Sequence, residues 1–272
     1  MALGSSFAAG PGLPGDYDLG CDRSSGDYPH RVAIKLRLAL TDVTCSAATT
    51  ANITTTPQVT ATGVRRVQID AVGSATKLIT VTVGGNDVDY TGPGGAGSLW
   101  AYGCTDTDQV PPAGAWTAIA CGHAVDQAEI EQKLRAEPRL LTDLLRKIHA
   151  RAPKAELVLV TYQRIIPASG ATCPAIALTA EHARFERDVG QRLEVAFHRA
   201  AARSNAELVD TYAAGIHHTA CATTEPWVSP WTWGPFPTGT IAFHPTIAGM
   251  AAAANSIIAR LTASDERHAA ER

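Results

Sequence analysis

Three short runs of apolar, β-branched residues alternate along the chain with longer stretches of helical periodicity. Residues 77–84 (KLITVTVG) and 156–162 (ELVLVTY) have the length and Val/Ile/Thr content of buried strands, and residues 207–211 (ELVDT) form a shorter third. The opening MALG reads as a further strand. Between them, residues 125–150 place apolar side chains at 130, 134, 141, 144, 145 and 148, one face of a helix. Residues 180–203 are rich in Ala, Arg and Glu, all good helix formers. A last helix is expected over 245–261, with Pro245 in its first turn, where a missing N–H does no harm. This alternation predicts βα units around a parallel sheet: an α/β fold of three layers.

Three segments break the alternation. Residues 91–122, 163–179 and 213–243 are irregular, the first conspicuously rich in Gly and Pro, and each carries cysteine. They are expected to be long loops inserted into a single domain spanning 1–272, lying over the carboxyl ends of the strands where such sheets bind ligands. The Thr-rich residues 48–56 read as a loop or a polar helix start.

Composition narrows the class of molecule. With 45% hydrophobic and 18% charged residues the 272-residue chain is globular rather than disordered. A net charge of −3 without a basic run argues against a nucleic-acid partner or an anionic membrane surface. Its apolar stretches fall short of a membrane span, so no stable membrane insertion is expected. The six cysteines at 21, 45, 104, 121, 173 and 221 include no CxxC pair. His217 and His218 near Cys221 lack a second pair at ligand spacing, so no metal is expected there. Three disulfides explain the even count and imply an oxidising compartment, although spacing alone does not choose the pairing. No secretory leader is read at the start of the chain, so the expectation is a secreted protein whose leader has been removed.

Three places carry candidate chemistry. Ser5-Ser6 follows the first strand, where a turn would project a hydroxyl from the sheet edge; ordinary turn chemistry would also account for it. Gly84-Gly85-Asn86-Asp87 follows the best strand. Its glycines allow close backbone approach and its Asn amide could donate to an oxyanion, or it could be only a turn. His244 stands immediately before Pro245 at a loop-to-helix junction, where it could be a general base or merely a capping residue.

Taken together these blocks resemble the SGNH hydrolases, the GDSL esterase/lipase family. ALGSSFAAGPG is similar to the first block, residues 42–53 (DVTCSAATTANI) to the second, GGND at 84–87 to the third and FHPT at 243–246 to the last. The cysteine in CDRSSGDYP, a second in the 42–53 block and six in all are similar to a secreted actinobacterial branch of lipases and esterases. The resemblance implies a flavodoxin-like parallel sheet and a serine carboxylester hydrolase with no cofactor. It implies Ser6 as nucleophile and His244 as base. It implies an oxyanion hole from the backbone N–H groups of Ser6 and Ala47 and the Asn86 amide. It also implies disulfides Cys21–Cys45, Cys104–Cys121 and Cys173–Cys221.

The chain departs from that pattern at three points. Ser5 replaces the usual Asp, Ala47 the usual Gly, and Ile241 the Asp expected three residues before the base. Some members of this branch resemble Ser–His dyads with a backbone carbonyl as third member. By that precedent the Ile241 carbonyl is expected to hold the imidazole, with Asp210 the alternative carboxylate. The aromatic stretch 226–236 offers Trp227, Trp231, Trp233 and Phe236 as an acyl or sugar wall, or as packing for a disulfide-bearing loop.

The expected substrate is a small-molecule or lipid ester, and the chain is expected to act as a monomer. A carbohydrate O-deacetylase or short-acyl esterase is the alternative, and a catalytically silent ligand-binding descendant is the reading of another class. Asn52-Ile53-Thr54 has the form of a glycosylation sequon.

Overall fold

The computed structural model describes residues 1–91, 97–107, 121, 124–169, 172–232 and 241–270. Strands β1 (Ala2–Gly4), β6 (Leu78–Thr82), β7 (Glu156–Val160) and β8 (Glu207–Val209) form one sheet in the order β1-β6-β7-β8, every pair parallel. Asp42 bridges to Ala2 in parallel on the free side of β1. Counting that bridge as a rudimentary strand, the order becomes the 2-1-3-4-5 of a flavodoxin-like sheet. Two small antiparallel ribbons, β2 (Tyr17–Asp18) with β3 (Arg23–Ser24) and β4 (Gln58–Thr60) with β5 (Gly63–Arg65), lie outside it.

The helices are α1 (Ser6–Ala9), α2 (Tyr28–Leu36), α3 (Thr50–Thr54), α4 (Ser98–Asp106), α5 (Gln127–Arg151), α6 (Ala180–Ser204), α7 (Thr211–Ala214) and α8 (Ile247–Ala270). Strand alternation divides the core into two layers. Leu157 and Leu159 of β7 join Ile79 and Val81 of β6 against Leu134, Leu141 and Leu145 of α5 and Val189, Leu193 and Phe197 of α6. Val158, Val160 and Val209 face the other way, against Tyr28 and Val32 of α2 and Met250, Ala254 and Ile257 of α8. All six apolar positions anticipated on α5 are buried.

Two expectations need correcting. The segment 91–122, expected as loop throughout, contains α4, whose Leu99, Trp100 and Ala101 are buried. Pro245 is not in the first turn of α8, because it forms an antiparallel bridge with Val228 and the helix begins at Ile247.

Candidate active site

The carboxyl end of β1 delivers the nucleophile candidate. Gly4 adopts φ 147°, and a Cβ there would lie 2.4 Å from the Thr82 carbonyl oxygen, so only glycine fits this crossing. Gln68 clamps the same peptide: Gly4 N–H donates to its Oε1 at 2.8 Å and its Nε2 donates to the Gly4 carbonyl at 3.0 Å. Ser5 N–H donates to Thr82 at 2.9 Å, and the chain then turns directly into α1 with Ser6 as its first residue.

Ser6 Oγ lies 3.0 Å from His244 Nε2. His244 Nδ1 is 2.9 Å from the Ala242 carbonyl oxygen, which can only accept, so the ring proton belongs on Nδ1 and Nε2 presents its lone pair to the serine. This corrects the expectation at Ile241. Phe243 has φ 59°, a left-handed turn that brings the carbonyl two residues back to the imidazole, while the Ile241 carbonyl takes the His244 backbone N–H at 3.3 Å. The loop is braced from outside: Ser229 N–H donates to the His244 carbonyl at 2.9 Å and Phe243 N–H to the Ser229 carbonyl at 3.1 Å.

Ser6 and His244 are each 1% exposed. Burial lowers the His244 pKa to about 4, opposed by the Ala242 hydrogen bond. Phe7 and Trp100 flank the ring, with centroids 5.5 and 6.2 Å away. Asp210 is elsewhere. It caps α7 by accepting Ala213 N–H at 2.7 Å and lies 3.2 Å from His198 Nε2.

The segments carrying the expected oxyanion donors are tied together. Cys45 N–H donates to the Gly4 carbonyl at 3.0 Å, setting residues 45–48 beside the end of β1. Asn86 Nδ2 donates to the Ala48 carbonyl at 2.9 Å with one of its two N–H bonds. Asp87 accepts the Thr50 backbone N–H at 3.0 Å and its hydroxyl at 2.6 Å, locking the 84–87 turn to the start of α3. Ala47 takes φ 64°, the conformation that a glycine would adopt more readily. Among the described residues, the backbone N–H groups of Ser6 and Ala47 donate to no other group.

Ser5 has a role its sequence position did not reveal. Fully buried, its Oγ is 2.9 Å from the Tyr162 hydroxyl, which in turn accepts Gly85 N–H at 3.0 Å. One phenol thus joins the first block to the third. Sequence reasoning missed Tyr162 and Gln68 because neither belongs to a block.

Trp231 does not form a wall to an open site. It is 6% exposed, meets Trp100 edge-on at 6.3 Å and Phe243 at 5.5 Å, and lies so close to Gly103 that a Cβ there would be 2.6 Å from the ring. It is core packing between α4 and the histidine loop. Trp227 is half-buried and stacks on His218 at 4.4 Å. Trp233 and Phe236 lie outside the described residues. A cavity of about 450 Å³ borders the histidine loop, lined by Pro11, Leu13, Pro14, Ile241, Pro245 and Ile247 among others.

The cysteines pair as Cys21–Cys45, Cys104–Cys121 and Cys173–Cys221. The first tethers the segment holding Ala47, and the third engages the Cys221 sulfur beside His217 and His218. Among the described residues, no helix is long and apolar enough to cross a membrane.

The profile of the GDSL-like lipase/acylhydrolase family matches residues 2–252. "Lipase 2" of Streptomyces coelicolor is 34% identical over 239 residues, covering 86% of this chain and 77% of that protein. Phospholipase A1 of Streptomyces albidoflavus superimposes with a TM-score of 0.70 at 24% identity, over 95% of this chain and 97% of that one. An extracellular lipase of Streptomyces rimosus gives 0.70 at 21% identity, with the same coverage of both chains.

Proposed function

The chain belongs to the GDSL-like lipase/acylhydrolase family and is a carboxylic ester hydrolase, and from that premise we propose that it cleaves acyl esters, lipid-like by preference, through an acyl-enzyme on Ser6. The observation that carries this reading is the geometry around His244: Nε2 at 3.0 Å from Ser6 Oγ and Nδ1 at 2.9 Å from the Ala242 carbonyl.

In the proposed mechanism His244 Nε2 takes the Ser6 proton as Oγ attacks the ester carbonyl. The tetrahedral oxyanion is held by the N–H groups of Ser6 and Ala47 and by the second Asn86 N–H. His244 then protonates the departing alkoxide, and water drawn in by the same base hydrolyses the acyl-enzyme. The Ala242 carbonyl supplies the tautomer and the ring orientation that a carboxylate supplies in a triad, without a full negative charge to stabilise the imidazolium.

The lipid-like preference is supported by the name of the S. coelicolor relative. We also read the chain as one domain over 1–272, monomeric and exported, the last supported by its three disulfides and by the extracellular S. rimosus lipase.

The test is hydrolysis of a p-nitrophenyl ester series from acetate to palmitate by wild type and Ser6→Ala. Turnover that rises with acyl length and is lost in Ser6→Ala is the expected result. Activity confined to acetate would replace the lipid reading with a short-acyl esterase or deacetylase, and activity that survives Ser6→Ala would refute the nucleophile.

A further inference from the structure

Among the described residues, two groups of side chains bring three potential ligand atoms within 4.8 Å of one another, and the buried group is Asp27, His30 and Asp42. Asp27 caps α2, accepting the His30 backbone N–H at 2.8 Å through Oδ1, and the same oxygen is 2.8 Å from His30 Nδ1. Asp42 comes from the segment that bridges β1, and its Oδ2 is 3.7 Å from the same Nδ1. The Asp27 and Asp42 side chains are 0% and 6% exposed, and the Oδ2 atoms of both are buried without a hydrogen-bond partner.

Two buried carboxylate oxygens left unsatisfied around one imidazole form an arrangement that isolated ion pairing does not explain. A carboxylate oxygen buried without a partner is costly to desolvate, so something ordinarily occupies such a site. The nearby cations are already committed: the Met1 ammonium donates to the Leu78 carbonyl at 3.0 Å and reaches Asp42 only through space. Arg23 donates to the Thr44 carbonyl at 2.7 Å and pairs with Asp18 at 3.1 Å, and it reaches His30 only through space. Asp42 Oδ1 is likewise occupied by the Thr44 backbone N–H and hydroxyl, which leaves Oδ2 as its free ligand atom.

We propose that Asp27, His30 and Asp42 bind a divalent transition-metal ion of the Zn²⁺ type. One imidazole nitrogen with two carboxylates suits a borderline ion better than Ca²⁺, which takes oxygen donors throughout. Ligand atoms about 2.0–2.1 Å from a tetrahedral ion stand roughly 3.3 Å apart, and the 3.7 Å between His30 Nδ1 and Asp42 Oδ2 is close to that spacing, while Asp27 Oδ1, 2.8 Å from Nδ1, holds the α2 cap and leaves the unpartnered Oδ2 of the same carboxylate to the ion. The ion takes the place of the proton between Nδ1 and Asp27. The His30 side chain, one-third exposed, leaves an entry path and room for water in the fourth position. The position is structural. It would join α2, the segment flanking β1 and, through the Asp27 Cβ packed close to Gly10, the turn after the Ser6 helix.

The 272-residue protein stripped with chelator and titrated with ZnCl2 by calorimetry at pH 7.5 tests this, alongside His30→Gln, Asp42→Asn and Asp210→Asn. The last variant removes a ligand from the other, more open group of Glu194, His198 and Asp210. The expected result is one tight equivalent in wild type and in Asp210→Asn, weakened at least about tenfold in both His30→Gln and Asp42→Asn. Zinc should also raise the wild-type melting temperature by a few degrees and leave that of His30→Gln unchanged. His30→Gln keeps the Asp27 cap, so its fold and its ester hydrolysis should match wild type, which makes its binding result decisive. No binding by wild type, an equivalent that persists in His30→Gln, or one lost only in Asp210→Asn would each overturn the proposal.

Discussion

Lowering the pH toward the point where His244 gains its proton should leave the enzyme active well below the range expected of an ordinary histidine. Burial holds the His244 pKa at about 4 against the ordinary 6.5 of a histidine, and among the described residues only a backbone carbonyl, with no full charge, supports the protonated ring. At pH 5 a base with pKa near 4 is about 90% neutral, while one at 6.5 is about 3% neutral, a roughly 30-fold difference in competent enzyme. The value of kcat/KM for a soluble short-chain ester should therefore stay nearly flat from pH 7 to about pH 5 and fall about tenfold per unit only below pH 4. The same shift bears on stability. The folded pKa lies below the unfolded one, so the unfolded chain binds the extra proton first and stability is lost as pH falls from 6.5 toward 4, by about 3 kcal/mol at the lower end. Each assay point is therefore paired with recovery of activity after return to pH 7.5. An acid limb with an apparent pKa of 6.5 or higher, fully reversible, would refute the reasoning.

Asn86→Ala should lower kcat about 10²- to 10³-fold with little change in KM, read by steady-state kinetics, because its amide serves the oxyanion more than the bound ester. Ser5→Ala leaves the Tyr162 hydroxyl without its side-chain partner in a fully buried position, and should cost about 1–3 kcal/mol in urea denaturation. Glu186 is fully buried and its pKa is pushed up to about 8 by desolvation, so the folded protein loses stability as pH rises from about 4.5 to 8. Glu186→Gln should flatten that decline in melting temperature over pH 5–8.

How much of this could be read from the chain varies with the kind of interaction involved. The strands β6 and β7 were visible as short continuous apolar, β-branched runs, as strands buried on both faces are, α5 by the 3.6-residue period of its apolar stripe and α6 by its helix-forming composition, and the observed bounds differ from the expected ones by at most a few positions. Helix α2 was missed although Asp27 caps it, Pro29 stands in its first turn and Tyr28, Val32 and Ala33 form a buried face, since nine residues make only about two and a half turns and repeat the 3.6-residue period too few times to stand out. Ser6, Asn86 and His244 were singled out because short blocks bring their chemistry together. The choice of Ala242 over Ile241 was not readable. It depends on Phe243 adopting a left-handed conformation that its side chain does not favour, imposed by the bridge to Ser229. Trp231 shows the opposite limit, since a run of aromatics reveals apolar surface but not the direction it faces. Glu137 and Glu186 were passed over as ordinary helix surface, and only the structure shows carboxylates enclosed among the buried positions of α5 and α6.

The central claim is that Ser6, activated by His244, forms the acyl-enzyme. It is tested most directly by reacting the protein with a fluorophosphonate and mapping the adduct by peptide mass spectrometry. The account predicts one equivalent of label on Ser6, none on Ser6→Ala, and much slower labelling of His244→Ala. A label on any other residue, or undiminished labelling of Ser6→Ala, would contradict it.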